Sequence, residues 1–215
     1  MLLALLLQPV LITSVHAHGY MEKPAQRGSM WRSPSRYPLM ARPADYNDNS
    51  LNAGGPGLVR ASYPMRRYGV CGDPYTQQRP RLHETGGRFG RFRDLGVAAV
   101  AECYTPGTVI DIHVRITAHH RGSFWFTLCV PGDGDESEAC FRDGYALQRA
   151  DGAGSRYSLP DLGSRVYAMQ YRLPSNVECD GSTRCVLRWY YLTGNSPGST
   201  NKEVSVPICG SRSSL

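Results

Sequence analysis

Val109-Ile110-Asp111-Ile112-His113-Val114-Arg115-Ile116-Thr117 alternates apolar and polar residues without a break. Successive side chains of a strand point to opposite faces, so this stretch buries Ile110, Ile112, Val114 and Ile116 and turns the rest outward. A helix would scatter the same four residues around its circumference. The following stretch, Ser123–Val130, repeats the pattern with Phe124, Phe126 and Leu128. Between the two lies Ala118-His119-His120-Arg121-Gly122, a tight connection at a strand end. Further strands are expected at Val166–Leu173, with Tyr167, Met169 and Tyr171 in step, and at Cys185–Leu192, which carries Trp189.

Clusters of Gly, Asp, Ser and Pro separate these strands, as in Pro131-Gly132-Asp133-Gly134-Asp135. Several short strands with such turns between them predict an all-β, immunoglobulin or fibronectin-III-like antiparallel β-sandwich. No helix longer than a turn or two is expected. From His18 to about Arg93 no period of 2 or 3.6 is sustained, which predicts a long N-terminal loop region. Loops of that length in a compact domain usually carry function.

Composition agrees with strands and loops. The 215 residues include 23 glycines and 15 prolines, below the roughly 25–30% that marks a low-complexity chain. Formal net charge is +6, and lysine occurs only at Lys23 and Lys202. No basic run exceeds Arg66-Arg67 and no nucleic-acid signature is present, so neither nucleic acid nor a membrane is expected as a partner.

Residues 1–17, MLLALLLQPVLITSVHA, combine an apolar stretch with a Val15-His16-Ala17 cleavage pattern and read as a signal peptide. Gln8 and Pro9 interrupt the stretch, which is too short for the ~20 apolar residues that span a bilayer. A secreted, extracellular chain is expected, with residues 18–215 as one monomeric domain. Seven cysteines agree with secretion. Their spacing suggests Cys129–Cys140 and Cys179–Cys185 as loop closures, and Cys71, Cys103 and Cys209 can supply one more bridge. Zinc is disfavoured, because there is no C-x-x-C pair.

Nucleophile-elbow, P-loop, zincin and dinucleotide motifs are absent. Asp133/Asp135 and Glu136/Glu138 fall in a turn, and His83-Glu84 reads as a loop fixed by hydrogen bonds. His18 differs from the other histidines because cleavage after Ala17 gives it a free α-amine. Amine and imidazole together chelate one metal, and a third nitrogen completes a planar T that suits Cu(II). His119 or His120, at a strand end, can supply that nitrogen.

His18-Gly19-Tyr20-Met21-Glu22-Lys23-Pro24 and Arg27-Gly28-Ser29-Met30-Trp31-Arg32 resemble the start of invertebrate lytic polysaccharide monooxygenases of auxiliary activity family fifteen, with a chitin-binding type-4-like domain. Tyr46-Asn47-Asp48-Asn49, Gly54-Gly55, Gly69-Val70-Cys71-Gly72-Asp73-Pro74 and His83-Glu84-Thr85-Gly86-Gly87 resemble further family segments in the same order. Thr117-Ala118-His119-His120-Arg121-Gly122 is similar to the family's T-A-N-H-K-G, with His119 in place of Asn. Cys185-Val186-Leu187-Arg188-Trp189 and Gly194-Asn195-Ser196 continue the match.

The resemblance implies a histidine brace of His18 and His120 holding one copper ion per chain. It implies oxidative cleavage of crystalline chitin, favoured over cellulose, at C1 or C4, with an external electron donor and O2 or H2O2. Tyr20 and Tyr46, near the brace, are either rings that stack on sugars or aromatics packed within the loops. Ala53 and Tyr68 stand where the family carries a cysteine pair. Val206 falls nearest the family's axial aromatic, a few residues before the last cysteine, Cys209. Two other readings follow from the residues: a polysaccharide-binding protein that does not oxidise, and an extracellular structural protein with neither copper nor glycan affinity.

Overall fold

The computed structural model describes residues 18–62, 69–132, 134–179, 184–194, 205–209 and 212–214. The expected signal peptide, Tyr68 and the Val206 side chain lie outside what is described. Among the described residues eleven strands occur in chain order: β1 (His18–Lys23), β2 (Val100–Cys103), β3 (Val109–Ala118), β4 (Ser123–Cys129), β5 (Tyr145–Ala146), β6 (Gln148–Arg149), β7 (Tyr157–Ser158), β8 (Val166–Arg172), β9 (Val186–Leu192), β10 (Ser205–Cys209) and β11 (Arg212–Ser214). The helices α1 (Gly55–Ala61), α2 (Phe92–Leu95) and α3 (Glu138–Arg142) are short, as expected. None of them is long and apolar enough to cross a membrane.

Two antiparallel sheets face each other. One has the order β1-β3-β8-β6, and the other β10-β9-β4-β5, with β7 also on β4; β11 pairs in parallel with β2. The core between the sheets takes the alternating residues that the sequence points inward. Ile110, Ile112, Val114 and Ile116 of β3, with Tyr167, Met169 and Tyr171 of β8, pack on Phe124, Phe126 and Leu128 of β4 and Leu187, Trp189 and Tyr191 of β9. The aromatic rings interlock edge to face, with Phe124 5.1 Å from Trp189 and 4.9 Å from Tyr191, and Phe126 4.8 Å from Tyr171. Such pairs add about 0.5–1.5 kcal/mol each beyond the area they bury.

The N-terminal region departs from the expected loop. It opens with β1, which pairs antiparallel with β3 from His18↔Ala118 to Lys23↔His113. Gly19, Tyr20 and Met21 are all buried, since both faces of this strand are covered, and that erases the alternation by which a half-buried strand is recognised. After β1 the chain is irregular: 3-10 turns at Arg27–Arg32 and Pro38–Met40, then α1. Met30, Tyr37 and Met40 form a small second core with Ala99 and Ala101.

Cys129–Cys140 ties the end of β4 to α3, and Cys179–Cys185 closes a short loop before β9, as their spacing suggested. Cys71 is also disulfide-bonded. Ala53 is fully buried in a left-handed conformation (φ 56°), and its N–H donates to the Gly72 carbonyl at 2.8 Å.

Candidate metal centre and its surroundings

His18 is the first residue of β1 and faces Ala118, the last of β3. Two residues beyond Ala118 comes His120, so strand pairing alone delivers both histidines to one end of the sandwich. The connection from Ala118 to β4 is tightly specified. Arg121 and Gly122 have φ of 52° and 97°, and a Cβ on Gly122 would lie 1.8 Å from the Leu192 carbonyl oxygen. Only glycine lets the connection approach β9 so closely.

β9 then fixes His120 from below. The His120 backbone N–H donates to the Tyr191 hydroxyl at 3.1 Å, and its carbonyl accepts from the Gly194 N–H at 2.8 Å. Burial pushes the Tyr191 phenol up to about 12, so it remains a neutral hydroxyl at ordinary pH. The neighbouring Trp189 supports β1: a Cβ on Gly19 would meet the Trp189 ring at 3.2 Å, the Arg115 carbonyl at 2.8 Å and the Ile116 side chain at 2.9 Å.

The structure separates the two adjacent histidines. His119 Nε2 donates to the Pro160 carbonyl at 3.0 Å, and its Nδ1 lies 3.8 Å from Asp161. Arg121 pairs with the same Asp161 at 2.9 Å. His119 therefore belongs to the contact between the 119–122 connection and the 160–161 loop. His120 is buried on the Tyr191 side, and His18 is half-buried.

The donor set fits copper. His18 and His120 lie at the same end of the sandwich, and removal of residues 1–17 would add the His18 α-amine, giving nitrogen donors throughout. Among the described residues no group of three or more His, Cys, Asp or Glu is placed to hold a metal ion. Four cysteines are committed to the two bridges above, and Cys71 to another.

The 45–50 loop walls the His18 side. The Gly19 N–H donates to the Asn49 carbonyl at 2.8 Å, and the Asn49 amide donates to the Thr117 hydroxyl at 3.2 Å. Gln26 bridges inward, giving its amide N–H to the Asp48 carbonyl at 2.7 Å and accepting from the Met21 N–H at 3.0 Å. The buried Asp48 carboxylate accepts two bonds from Arg32, at 2.7 and 2.8 Å. Arg32 in turn lies 4.7 Å from the centroids of both Tyr20 and Trp31.

This arrangement splits the two tyrosines. Tyr20 is buried beneath Arg32 and packs as part of the scaffold, so it is not a sugar-stacking ring. Tyr46 is 83% exposed, and its ring meets Trp31 in a T-shaped contact with centroids 5.1 Å apart.

Behind the loop sits His83, which the sequence assigned to loop fixation. Nε2 donates to Asp45 at 2.9 Å and Nδ1 to Asp73 at 2.8 Å, while its backbone N–H donates to Asp73 at 2.9 Å. Burial works against the charged ring, but the bonds to Asp45 and then Asp73 outweigh it and hold the imidazolium up to about 9. Gly28 has no room for a side chain here, because a Cβ would lie 2.7 Å from an Asp45 carboxylate oxygen. Next to it, the Glu84 carboxylate pairs with Arg79 at 2.8 Å and with Arg81. Glu136, which the sequence places in a turn, is fully buried. It accepts from Arg27, from the Thr85 N–H at 2.8 Å and from the Thr85 hydroxyl at 2.7 Å. Neither cluster was visible in the sequence, because partners of His83 lie 38 and 10 residues away and those of Glu136 lie 51 and 109 away.

A family model described as lytic polysaccharide mono-oxygenase, cellulose-degrading, matches residues 18–202. Among solved structures, the chain is similar to the lytic polysaccharide monooxygenase AA15 from Thermobia domestica in the Cu(I) state, at 31% identity and a TM-score of 0.77. That match covers 91% of this chain and 98% of the other. More distant likenesses are a cellulose-active lytic polysaccharide monooxygenase, CelS2, in complex with copper (16% identity, TM-score 0.47, 92% and 98% covered) and a chitin-binding domain from Burkholderia pseudomallei (17%, 0.45, 90% and 98%). No protein of curated function matches the chain in sequence.

Proposed function

Because the chain belongs to the AA15 lytic polysaccharide monooxygenases, copper-dependent enzymes acting on polysaccharides, we propose that His18 and His120 form its metal centre and that its substrate is crystalline chitin rather than cellulose. The observation that supports this reading is the pairing of His18 with Ala118, two residues before His120, which puts both histidines at one end of the sandwich, while His119 is engaged by Pro160 and Asp161. We take residues 1–17 as a cleaved signal peptide, so that His18 contributes its amine, and residues 18–215 as one secreted, monomeric domain. Chitin is preferred on the resemblance to invertebrate enzymes.

Copper held by His18 and His120 would supply one-electron chemistry toward a C–H bond at C1 or C4, with an external electron donor and O2 or H2O2 as co-reactants. The chain's own residues position the reactants. Tyr191 and Gly194 fix the His120 backbone, β3 and Trp189 fix β1, and the exposed Tyr46 ring offers a face to a sugar of the solid polymer. Hydroxylation beside the glycosidic oxygen makes the bond eliminate, so no acid or base needs to be held at the scissile bond.

The test is EPR of Cu(II)-loaded protein whose N-terminus is confirmed as His18. One copper with nitrogen coupling is expected, and His120→Ala should weaken copper binding by orders of magnitude while the fold persists. A variant that keeps Ala17 ahead of His18 should behave alike. Full copper affinity in either rejects the ligand set. Oxidised oligosaccharides should appear from chitin only with reductant. A second reading, polysaccharide binding without oxidation, is favoured by Val206 at the position where the family carries an aromatic; it predicts adsorption to chitin and no oxidised product.

A further inference from the structure

We propose that His83 is a positioning residue for polysaccharide binding: by bridging Asp45 and Asp73 it holds the 45–50 loop, and with it Tyr46, beside His18 and His120. The inference rests on the reading of Tyr46 as a sugar-stacking ring and extends it to the group that keeps the ring in place.

The path is short and fully bonded. His83 Nε2 donates to one Asp45 carboxylate oxygen at 2.9 Å, and the other accepts from the Asn47 N–H at 3.0 Å, closing a turn around Tyr46. The Asp45 carbonyl accepts from Trp31 Nε1 at 2.9 Å, which sets the ring on which Tyr46 leans. At its far end the loop binds Gly19 and Thr117 through Asn49. Asp73, the other anchor, belongs to a different segment, which contacts the chain near Ala53 through Gly72. A mobile loop would have to be ordered when it meets a flat polymer, and a loop clamped beforehand avoids that cost.

The clamp needs both donors. Asp45 and Asp73 are the carboxylates at the ring nitrogens. Arg27 meets only the His83 carbonyl, Phe89 covers a ring face at 4.9 Å, and Asp48 across Gly28 is paired with Arg32. Glu84, next in the chain, is paired with Arg79 and Arg81. A neutral imidazole has one N–H, so loss of the proton sets a lone pair against one of the two carboxylates. The protonated form persists to about pH 9, which covers neutral conditions.

The experiment uses processed, copper-loaded protein without reductant and measures adsorption to crystalline chitin, with Cu(II) EPR on the same samples. His83→Gln should weaken adsorption about tenfold at pH 7, the scale on which a displaced positioning group tells, with an unchanged copper spectrum. Adsorption of the unaltered protein should fall toward the variant's as pH rises from 7 through 9, and the variant's profile should be flat. Combining His83→Gln with Tyr46→Ala should add nothing to Tyr46→Ala alone. Unchanged adsorption in His83→Gln, additive losses in the double variant, or a flat pH profile in the unaltered protein overturns the proposal. Should His83→Gln fail to fold, the pH profile of the unaltered protein decides alone. If Tyr46→Ala adsorbs normally, the reading of Tyr46 itself fails, an outcome distinct from a failure of the clamp.

Discussion

Glu136 has no solvent exposure, yet it stays ionised down to about pH 2. Burial pushes its carboxyl up, and the charge of Arg27 with the donors of Arg27 and Thr85 pushes it further down. A folded-state value below the ordinary 4.5 means that this stabilisation is complete above about pH 4.5 and is lost as pH falls toward 2. His83 has the opposite sign: its contribution is complete below about pH 6.5 and is lost as pH rises through about 9. Thermal melts should therefore show a plateau near pH 5–6, with shoulders on both sides. Glu136→Gln should cost roughly 3–5 kcal/mol, because it leaves the Arg27 guanidinium buried without its partner, and should erase the acid shoulder. An acid shoulder that survives in this variant would assign it to other carboxylates. At this scale the sequence exposed residue types and hid their environments. His18 and His120 are proposed as ligands because a motif carries them. Tyr20 and Tyr46 were read alike, and only Arg32 lying over Tyr20 tells the scaffold ring from the exposed one.

The strands that alternate cleanly are found where the pattern put them. β3 extends one residue past its expected end, and β4 and β8 each stop one residue short. β1 was missed because its two faces are both covered, and β10 because Pro207 interrupts it. Proline is tolerated there, since β10 lies at the edge of its sheet. β1 also makes the sharpest prediction for an element. Gly19 has no space for a methyl group against Arg115, Ile116 and Trp189. Gly19→Ala should cost about 1–3 kcal/mol by overpacking and should displace His18 from β3. Copper affinity, measured by competition with a chelator, should fall more steeply than the melting temperature. Equal copper affinity in this variant would detach the metal centre from the strand that carries His18.

Across the molecule, one aromatic core joins both sheets and every long strand contributes to it. Residues 18–215, if they are one domain, should unfold in a single calorimetric transition. Removing the Cys129–Cys140 bridge, which spans 11 residues, should lower stability by about 3 kcal/mol and the melting temperature by roughly 6–12 °C without splitting that transition. Two transitions would mean that the loop-rich half folds apart from the sandwich. The sandwich was legible from four strands. The long-range clusters of His83 and Glu136 were not, because nothing local in the chain indicates which distant carboxylate or guanidinium a buried group will meet.

The placement of His18 at the head of β1 has a practical side. Its pairing with Ala118 is made by backbone and forms without a free terminal amine at His18. A protein produced with a starting methionine ahead of His18 should therefore fold, adsorb and pass every check of structural quality while performing no oxidation on the proposed ligand set. The same defect, made deliberately, is a matched decoy: it occupies the polymer surface as the enzyme does, and separates the effects of coverage from those of chemistry.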